Sequence, residues 1–365
     1  MSITRTELSF RTLEIISRAF KEGRLPGASI IIAKRKKILL KVNSGFAVLY
    51  KDPCSIHDRP IKVTTNTLYD LASLTKLFTS IAIAFMIKNG SISLDTKVSN
   101  ILGWTQKHIE PIRIIHLLSH TSGLPAWIEL FTSPTINSNP WHYILSCAKH
   151  PPGKSIEYSD MGFMLLGKIL EVLTSKPLSE LFKNLIFNPL GLNDTFFNPP
   201  FTMKHRIAAT EWQSTPPRGL VHGQVHDENA YALGGIAGHA GLFSILDDVY
   251  KFCLYIQNDL HKSLKKEESH LAGIMELLSN QYQISLNINV KSLGFEKRKP
   301  FYMGTLSKLG AIGHTGFTGT SVVIEPSADL IVIILSNRIH PIKLNGKIND
   351  IRSNIADLAL EVSLV

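Results

Sequence analysis

Apolar positions follow two different periods along the chain, and they predict where strands and helices lie. Residues 28–33 and 38–49 are rich in Ile, Val and Leu and are separated by a short polar break, which is the pattern of a β-hairpin. Near the other end of the chain, TSVVIE and LIVIILSN flank the turn PSAD and predict a second hairpin of buried strands. Strands are therefore expected at both ends of the chain.

Helical spacing of apolar residues dominates the middle of the chain and is also found near both termini. It predicts helices at residues 6–23, 71–88, 111–119, 160–174, 177–187, 244–258, 269–280 and 348–363. Asp70 is a candidate N-cap of the second helix. Two long loops, at 124–140 and 190–235, are rich in Pro, Gly, Asn and His, and loops of that length are often functional.

The simplest architecture for this order of elements is α+β. We expect one antiparallel β-sheet built from the N- and C-terminal segments and flanked by helices, with an inserted all-helical lobe. A chain of 365 residues exceeds the size at which a single core grows comfortably, so two lobes are expected within one domain spanning 1–365. The sheet lobe is predicted at about 1–65 and 240–365, and the helical lobe at about 66–239.

Charge and composition argue against several classes of function. The chain is 44% hydrophobic and 19% charged, which is ordinary for a globular protein. A net charge of +10 suits an anionic partner, but the basic residues are dispersed. The densest run, KRKK at residues 34–37, lies between two predicted strands, where a charged hairpin tip explains it. No zinc-finger, RRM or helix-turn-helix signature is present, so no nucleic-acid partner is expected.

The N-terminal segment and the cysteines bear on the compartment. The first helix has no uninterrupted apolar region and no small-residue cleavage site, so no signal peptide is predicted. The longest apolar run, IAIAFMI at 81–87, is too short to span a bilayer. Cys54, Cys147 and Cys253 are widely spaced and form neither a disulfide framework nor a thiolate metal site. We therefore expect a cytoplasmic protein without an integral membrane segment; a periplasmic location would need an unrecognised export route.

Candidate chemistry begins with the sequence SLTK. Residues three apart lie side by side on a helix, so Ser73 and Lys76 should meet, and an adjacent amine can activate a hydroxyl as a nucleophile. Two further Ser-x-x-Lys pairs, Ser146–Lys149 and Ser263–Lys266, lie before a proline and in a highly charged segment. Only Ser73 begins a long apolar helix. For Lys76 to act as a base, its pKa must be lowered by its surroundings.

Two more segments can complete such a site. Tyr158 precedes the predicted helix at 160–174, where it can share a proton with the lysine, although a half-buried structural tyrosine is the plainer interpretation. The segment GAIGHTGFTGTSVVIE, at 310–325, places glycines around His314 and Thr315 just before a buried strand. Glycine there allows a ligand to approach the backbone closely, so that an N–H group can bind a carbonyl oxygen. A glycine-rich turn with a surface histidine is the alternative.

These segments occur in the order found in one known family. LASLTKLFTS, YSDMGF and GHTGFTG resemble the SxxK, Tyr-x-Asn and Lys-Thr-Gly elements of the serine β-lactamase and penicillin-binding-protein superfamily. Within that superfamily the chain is most similar to the branch of class C enzymes, D-alanyl-D-alanine carboxypeptidases and esterases. LLSHTSGLP, DENAYALGGIAGHAGLFS and LSNRIHP extend the resemblance to nearly the whole chain.

The resemblance assigns roles to individual residues. It implies Ser73 as the acylated nucleophile, Lys76 as its proton acceptor and Tyr158 as an activator or a proton donor to the leaving group. Which of the lysine and the tyrosine is the acylation base stays open. It further implies that His314, Thr315 and Gly316 line the substrate strand. The backbone N–H groups of Ser73 and Phe317 would then form the oxyanion hole.

Two positions depart from the family pattern. Asp160 stands where an amide is usual, and His314 stands where lysine is usual. A carboxylate only accepts hydrogen bonds, and a histidine is only partly charged near neutral pH. Both changes reduce positive charge where a substrate carboxylate would bind. We therefore expect a carboxylesterase or a D-Ala-D-Ala-type peptidase acting on a small ester or peptide, with weak or absent β-lactam hydrolysis and no cofactor.

Two other functions remain open on sequence grounds. A metal hydrolase is suggested by His116–His120 and His222–His226, which have i, i+4 spacing. HLLSH lacks the glutamate of metalloprotease helices, however, and HGQVH contains glycine in a loop, so no metal site is expected. A non-catalytic or slowly deacylating sensor of the same fold would look identical in sequence. The segment 225–235 receives no chemical role, and the oligomeric state is not predicted.

Overall fold

The computed structural model describes residues 3–103, 111–265, 273–285, 287–290, 292–343 and 348–363. Its helices are α1 (Arg5–Lys21), α2 (Thr75–Lys88), α3 (Val98–Leu102), α4 (Ile114–Leu118), α5 (Pro140–Ser146), α6 (Asp160–Thr174), α7 (Leu178–Phe182), α8 (Asn188–Leu190), α9 (Glu228–Ala232), α10 (Leu246–Lys265), α11 (Ile274–Ser279), α12 (Pro300–Met303) and α13 (Ile348–Ser363). Its strands are β1 (Gly27–Lys34), β2 (Lys37–Tyr50), β3 (Ile56–Lys62), β4 (Tyr69–Asp70), β5 (Thr195–Phe197), β6 (Trp212–Gln213), β7 (Gly219–Leu220), β8 (Leu242–Ser244), β9 (Tyr282–Ser285), β10 (Ile288–Val290), β11 (Glu296–Lys297), β12 (Ile312–Thr315), β13 (Ser321–Glu325) and β14 (Leu330–Ser336).

A seven-stranded antiparallel sheet joins the two ends of the chain. Its strand order is β11-β12-β13-β14-β1-β2-β3, so the first strand of the chain pairs with the last. In that pairing Ile31 lies opposite Ile333, and Val322 of β13 lies opposite the same residue. The α+β architecture with a sheet built from both termini is therefore confirmed.

Both faces of this sheet are covered by helices, which explains the continuous apolar runs of β1 and β14. Successive side chains of a strand point to opposite faces of the sheet. Ile31 and Ile333 accordingly belong to the core shared with the middle helices, whereas Ile30 and Ile334 belong to the core shared with α1 and α13. The central strands are thus buried on both sides.

The middle of the chain packs around α2, which is buried along nearly its whole length. A helix that is apolar on all sides belongs inside a core, and α2 contacts α6 and α11 there. Short strands also occur in this region: β4, β8 and β5 form a three-stranded sheet. The all-helical description therefore omits these short strands, and the lobe boundaries at about 66 and 239 stay a prediction.

Two local features refine the sequence interpretation. The KRKK run forms the tip of the β1–β2 hairpin, where Arg35 and Lys36 adopt positive φ angles of 49° and 64°. Both values suit a two-residue type I′ turn. Within the described residues, no helix is both long and apolar enough to cross a bilayer.

Candidate active site

The segment that carries Ser73 is a short turn between β4 and α2. Residues Ala72–Leu74 form one 3₁₀ turn, and α2 begins at Thr75 with Leu74 as its N-cap. The prediction that Asp70 caps this helix is therefore wrong. Instead, Asp70 is buried, and its carboxylate accepts hydrogen bonds from the N–H groups of Ala72 at 2.8 Å and His226 at 2.7 Å. Burial raises the pKa of this carboxyl group, and the two N–H donors oppose that effect.

Backbone strain is concentrated just before the candidate nucleophile. Ala72 has a φ of 47°, in the left-handed region that residues with a Cβ rarely adopt. Such strain persists only where the surroundings hold it, and here Asp70 binds the N–H of the strained residue. The side chain of Ser73 is half-buried and lies at the edge of a cavity.

Lys76 is a fully buried cation of the site, with 0% of its surface exposed. Its Nζ donates to Ser73 Oγ at 2.9 Å and to the carbonyl oxygen of His239 at 3.2 Å. The same atom lies 2.7 Å from Asp160 Oδ1. The predicted contact between the serine and the lysine is therefore present.

The predicted lowering of the Lys76 pKa is wrong. Burial alone would lower it, but the negative charge of Asp160 and the interaction with Tyr158 outweigh burial and raise the pKa above that of a free lysine. The sequence identified Asp160 as a departure from the family pattern but did not reveal that it is the counterion of Lys76. The lysine is consequently held in its ammonium form.

Tyr158 lies immediately before α6, whose N-cap is Ser159. The centroid of its ring is 5.1 Å from Lys76 Nζ and 4.6 Å from the ring of His120. Although 40% of the residue is exposed, its hydroxyl lies in buried surroundings, which raise its pKa. The positive charge of Lys76 is the largest effect that opposes that rise in pKa. Tyr158 thus lies beside the buried ammonium group of Lys76.

His314 is buried in β12, and burial lowers its pKa. Its Nδ1 lies 2.8 Å from the carbonyl oxygen of Thr315. The side chain is therefore mainly neutral at neutral pH, which extends the sequence argument that positive charge is reduced here. His314 lines a cavity of about 300 Å³ that also reaches Tyr158.

The other predicted residues meet at a larger cavity of about 920 Å³. The predicted site residues that line it are Ser73, Tyr158, Asp160, Thr315, Gly316 and Phe317. Lys76 lies beneath the surface, in contact with two of them, and His314 lines the smaller cavity together with Tyr158. The structure therefore brings the predicted residues together around two cavities that share Tyr158.

The turn after β12 is tied to the segment that precedes Ser73. Thr318 Oγ1 donates to the carbonyl oxygen of Asp70 at 2.7 Å, and Thr320 Oγ1 donates to that of Leu71 at 3.0 Å. Gly316 is required in this turn, because a Cβ there would lie 2.6 Å from the carbonyl oxygen of Leu71. These bonds fix the turn against the segment that precedes Ser73.

Two N–H groups remain available on this framework. Among the described residues, neither the N–H of Ser73 nor that of Phe317 has a hydrogen-bond acceptor. Arg352 supports the turn from beneath, donating from Nη2 to the carbonyl oxygens of Gly316 at 3.0 Å and Thr320 at 2.8 Å. Burial lowers the pKa of Arg352 to about 9, so the side chain is still charged at neutral pH. The arrangement can present two donors to one oxygen atom.

The segment 225–235, which received no role from the sequence, borders the site. Asp227 caps α9 by accepting from the N–H of Ala230 at 2.7 Å, and it lies 2.9 Å from Nε2 of His239. The backbone carbonyl of that histidine accepts from Lys76. The pattern DENAYA is typical of an Asp N-cap and could have indicated the first of these contacts. The second depends on tertiary structure alone.

The competing Ser-x-x-Lys pairs behave differently from Ser73–Lys76. Ser146 and Lys149 are exposed, and the hydroxyl of Ser146 donates to the carbonyl oxygen of Tyr143 at 2.8 Å. The pair Ser263–Lys266 lies outside the residues whose side chains are described.

The histidine pairs considered for metal binding are engaged in protein contacts. Nδ1 of His116 accepts from the N–H of Arg113, and Nδ1 of His120 accepts from the N–H of Ser159, each at 3.0 Å. His222 contacts a backbone carbonyl, and His226 Nε2 lies 2.7 Å from Glu211. Within the described part of the chain, no group of three or more His, Cys, Asp or Glu side chains is placed to hold a metal ion.

Comparisons with known proteins match most of the chain. The Beta-lactamase family model covers residues 13–356. A Salmonella enteritidis PT4 protein named "Putative D-alanyl-D-alanine carboxypeptidase" is 32% identical over 362 residues, covering 89% of this chain and 81% of that protein. A Salmonella typhi protein of the same name is 32% identical over 361 residues, with the same shares of 89% and 81%.

Two solved structures share the fold. The octameric penicillin-binding protein homologue from Pyrococcus abyssi superposes with a TM-score of 0.72 at 24% identity, covering 97% of this chain and 77% of that one. EstCE1, a hydrolase with promiscuous acyltransferase activity, superposes with a TM-score of 0.71 at 21% identity, covering 96% and 99% of the two chains. With a family match over most of its length, the chain belongs to the Beta-lactamase family of serine hydrolases.

Proposed function

We propose that this chain hydrolyses small esters or amides through an acyl-enzyme formed on Ser73. The observation that carries the proposal is the 2.9 Å contact between Lys76 Nζ and Ser73 Oγ at the edge of the 920 Å³ cavity. A hydroxyl in contact with a cation and a phenol can lose its proton as it attacks a carbonyl carbon. Ser73 is the nucleophile in this proposal.

The proton of Ser73 passes to Tyr158. Because Asp160 favours the ammonium form of Lys76, the lysine cannot readily accept it. The ammonium group, 5.1 Å from the ring centroid of Tyr158, instead stabilises the phenolate, which is the minor form near neutral pH because burial raises the pKa of the phenol. Ser73 Oγ attacks as its proton moves to the phenolate, and the phenol then protonates the leaving oxygen or nitrogen. Water attacks the ester of Ser73 by the reverse sequence and releases the acid.

The negative charge that develops on the carbonyl oxygen needs donors. The free N–H groups of Ser73 and Phe317 would supply them, each worth on the order of 10²–10³ in rate. The bonds from Thr318 and Thr320 to the backbone before Ser73 support this assignment, because they hold the two donors in one rigid unit. Thr315 and Gly316 would line the path of the substrate.

The charges of the site favour neutral substrates over β-lactams. Asp160 neutralises Lys76, and burial keeps His314 largely uncharged. A substrate carboxylate would therefore find less positive charge here than in relatives with a lysine and an amide at these positions. The names of the curated relatives support a test of D-amino-acid peptides as well, since both are described as carboxypeptidases.

The experiment compares wild type with Ser73→Ala on p-nitrophenyl acetate, a D-Ala-D-Ala peptide and nitrocefin. We expect turnover of the ester or the peptide, little turnover of nitrocefin, and roughly a thousandfold loss or more in the variant. Mass spectrometry after exposure to a fluorophosphonate should find one adduct on Ser73. Fast nitrocefin hydrolysis without ester or peptide turnover would overturn the substrate assignment, and full activity of Ser73→Ala would overturn the mechanism.

The same labelling experiment separates an enzyme from a sensor. A sensor would form a stable acyl adduct on Ser73 after exposure to an activated ester and release almost no product beyond one equivalent. An enzyme would release product continuously. A continuous release that persists in EDTA would also contradict a metal-dependent reaction.

A further inference from the structure

The cavity beside Ser73 has a strongly aromatic wall. Trp127, Phe301, Phe317 and Tyr158 all line it, and they are 46%, 45%, 42% and 40% exposed. Aromatic side chains normally bury their large surfaces, so a group of exposed ones around a concave site marks a surface that a ligand covers. At about 920 Å³, the cavity is much larger than an acetyl group requires.

Trp127 is held in place by the segment that carries Tyr158. The N–H of Asp160 donates to the carbonyl oxygen of Ala126 at 3.0 Å, and the N–H of Ala126 donates to the side chain of Glu157 at 3.0 Å. These two bonds flank Tyr158 on both sides. The indole of Trp127 is therefore attached to a backbone whose position is set by the segment that carries Tyr158.

Phe317 is also fixed while part of its ring stays exposed. The ring of His226 stacks on it with centroids 5.2 Å apart and an interplanar angle of 23°. Lys343 Nζ lies 4.6 Å from the ring centroid, and Arg338 Nε donates to the carbonyl oxygen of Phe317 at 3.1 Å. A ring held in this way is a preorganised surface for stacking.

Several polar side chains of the cavity, in contrast, already have partners within the protein. The pairs, with their separations, are Glu211–His226 at 2.7 Å, Asp227–His239 at 2.9 Å, Glu228–Gln213 at 2.9 Å, Asp350–Arg24 at 2.8 Å and Asn349–Arg352 at 2.9 Å. A ligand rich in hydroxyl groups, such as a sugar, would have to compete with these contacts. The exposed aromatic rings are therefore the largest part of the lining that a ligand can cover without displacing these contacts.

We propose that this cavity is an acyl-binding subsite for substrates whose acyl group carries an aromatic ring. The ring would stack between Trp127 and Phe317 while the carbonyl carbon lies at Ser73. The inference rests on the proposed function, because the acyl group must be the part of the substrate that is transferred to Ser73. It adds a substrate class, neutral esters of acids that carry an aromatic ring, that the family assignment does not supply.

The test compares p-nitrophenyl phenylacetate with p-nitrophenyl acetate, each corrected for its rate of hydrolysis by hydroxide. We expect kcat/KM to be at least about 20-fold higher for the phenylacetate than for the acetate, since the apolar ring of its acyl group leaves water on binding. Trp127→Ala should remove most of that advantage, so that the ratio of the two kcat/KM values falls toward one. The matched control is Tyr143→Ala, which truncates an aromatic residue of α5, 37% exposed and outside the cavity lining.

The outcomes separate the subsite from the reaction. Equal kcat/KM values for the two esters, with Ser73→Ala inactive on both, would overturn the subsite and leave the proposed function intact. Calorimetric titration with phenylacetamide and with methyl glucoside tests the subsite without any turnover. We expect phenylacetamide to bind wild type and to bind Trp127→Ala about tenfold more weakly. Binding of the glucoside alone would overturn the aryl assignment in favour of a sugar.

Discussion

Replacing Asp160 by asparagine tests the electrostatic centre of the site. The change keeps the size of the side chain and removes the negative charge that lies 2.7 Å from Lys76 Nζ. At that separation, with an effective dielectric constant of about 20, the attraction amounts to about 6 kcal/mol. The cost of removing one partner from a buried pair is smaller, about 3–5 kcal/mol, because desolvation offsets part of the attraction.

The variant should change the pH dependence of both stability and activity. In wild type, the raised pKa of Lys76 contributes stability that is present below pH 10.5, the pKa of a free lysine, and is lost above it. In Asp160→Asn the effect of burial dominates, so the pKa of Lys76 falls below that of a free lysine. Stability should then be about 3 kcal/mol lower than wild type at pH 7 and should increase toward pH 10, because the unfolded chain binds the extra proton.

The pH dependence of activity should also change in Asp160→Asn. Without Asp160, either Lys76 becomes a neutral base or the phenolate of Tyr158 forms more easily, since the carboxylate raises the pKa of both groups. The acid limb of the kcat/KM profile for p-nitrophenyl acetate should therefore move to lower pH, with about a tenfold gain below the wild-type midpoint, which is about 1.4 kcal/mol.

The assays are urea unfolding at pH 7 and 9.5 and a pH–rate profile from pH 5 to 10. Asp350→Asn is the matched control, because Asp350 lines the same cavity but pairs with Arg24 instead of Lys76. It should leave the profile unchanged. An acid limb that stays in place in Asp160→Asn, or moves to higher pH, would refute the argument that Asp160 holds the lysine in its ammonium form.

Two further predictions concern the surroundings of the site. Burial lowers the pKa of His120 to about 3, so the folded protein loses stability as the pH falls from 6.5 to 3 and the unfolded chain takes up the proton. His120→Asn should reduce this loss in the free energy of unfolding by up to about 4 kcal/mol. Asparagine is chosen because it tolerates the φ of 58° at this position. Urea unfolding at pH 7.5 and 4 measures the loss of stability in acid, and substitution of the exposed His205 by asparagine is the control. An equal loss of stability between these pH values in wild type and His120→Asn would contradict the prediction. Thr318→Val should lower kcat about 10- to 100-fold with KM changed less than about threefold, since the carbonyl of Asp70 loses its donor. Thr318→Ser keeps the hydroxyl group and should restore kcat. A rise in KM of Thr318→Val with kcat unchanged would contradict a positioning role.

Much of the fold could be predicted because its signals are local. The hairpin at 28–49 and the strands on either side of PSAD are long apolar runs interrupted by turn residues, so each is visible within a short window. Strands β4 and β5 have two and three residues, which is too short for any period to be recognised. The start of α2 was misplaced because Asp70 has the sequence signature of an N-cap but binds the N–H of a strained turn.

The candidate site divides in the same way. The contact between Ser73 and Lys76 follows from helical geometry and was predicted from spacing alone. The pKa of Lys76 was predicted in the wrong direction, because its sign depends on Asp160, which is distant in sequence and adjacent in space. The aromatic wall was missed for the same reason: Trp127, Phe301 and Phe317 belong to three separate segments. The catalytic roles themselves stay predictions until the variants are measured.

The two departures from the family pattern act together on the net charge of the site. An amide and a lysine at positions 160 and 314 would leave two cations, that lysine and Lys76, without a carboxylate between them. Asp160 and a neutral His314 leave one cation and one anion, so the centre carries about two fewer positive charges. An anionic substrate is therefore attracted less strongly to such a site, whereas the binding of a neutral ester does not depend on these charges. An aromatic acyl group then gains its binding energy from stacking and burial, which do not depend on the missing charges. The charge pattern and the aromatic wall therefore favour the same class of substrate, although they arise from different residues.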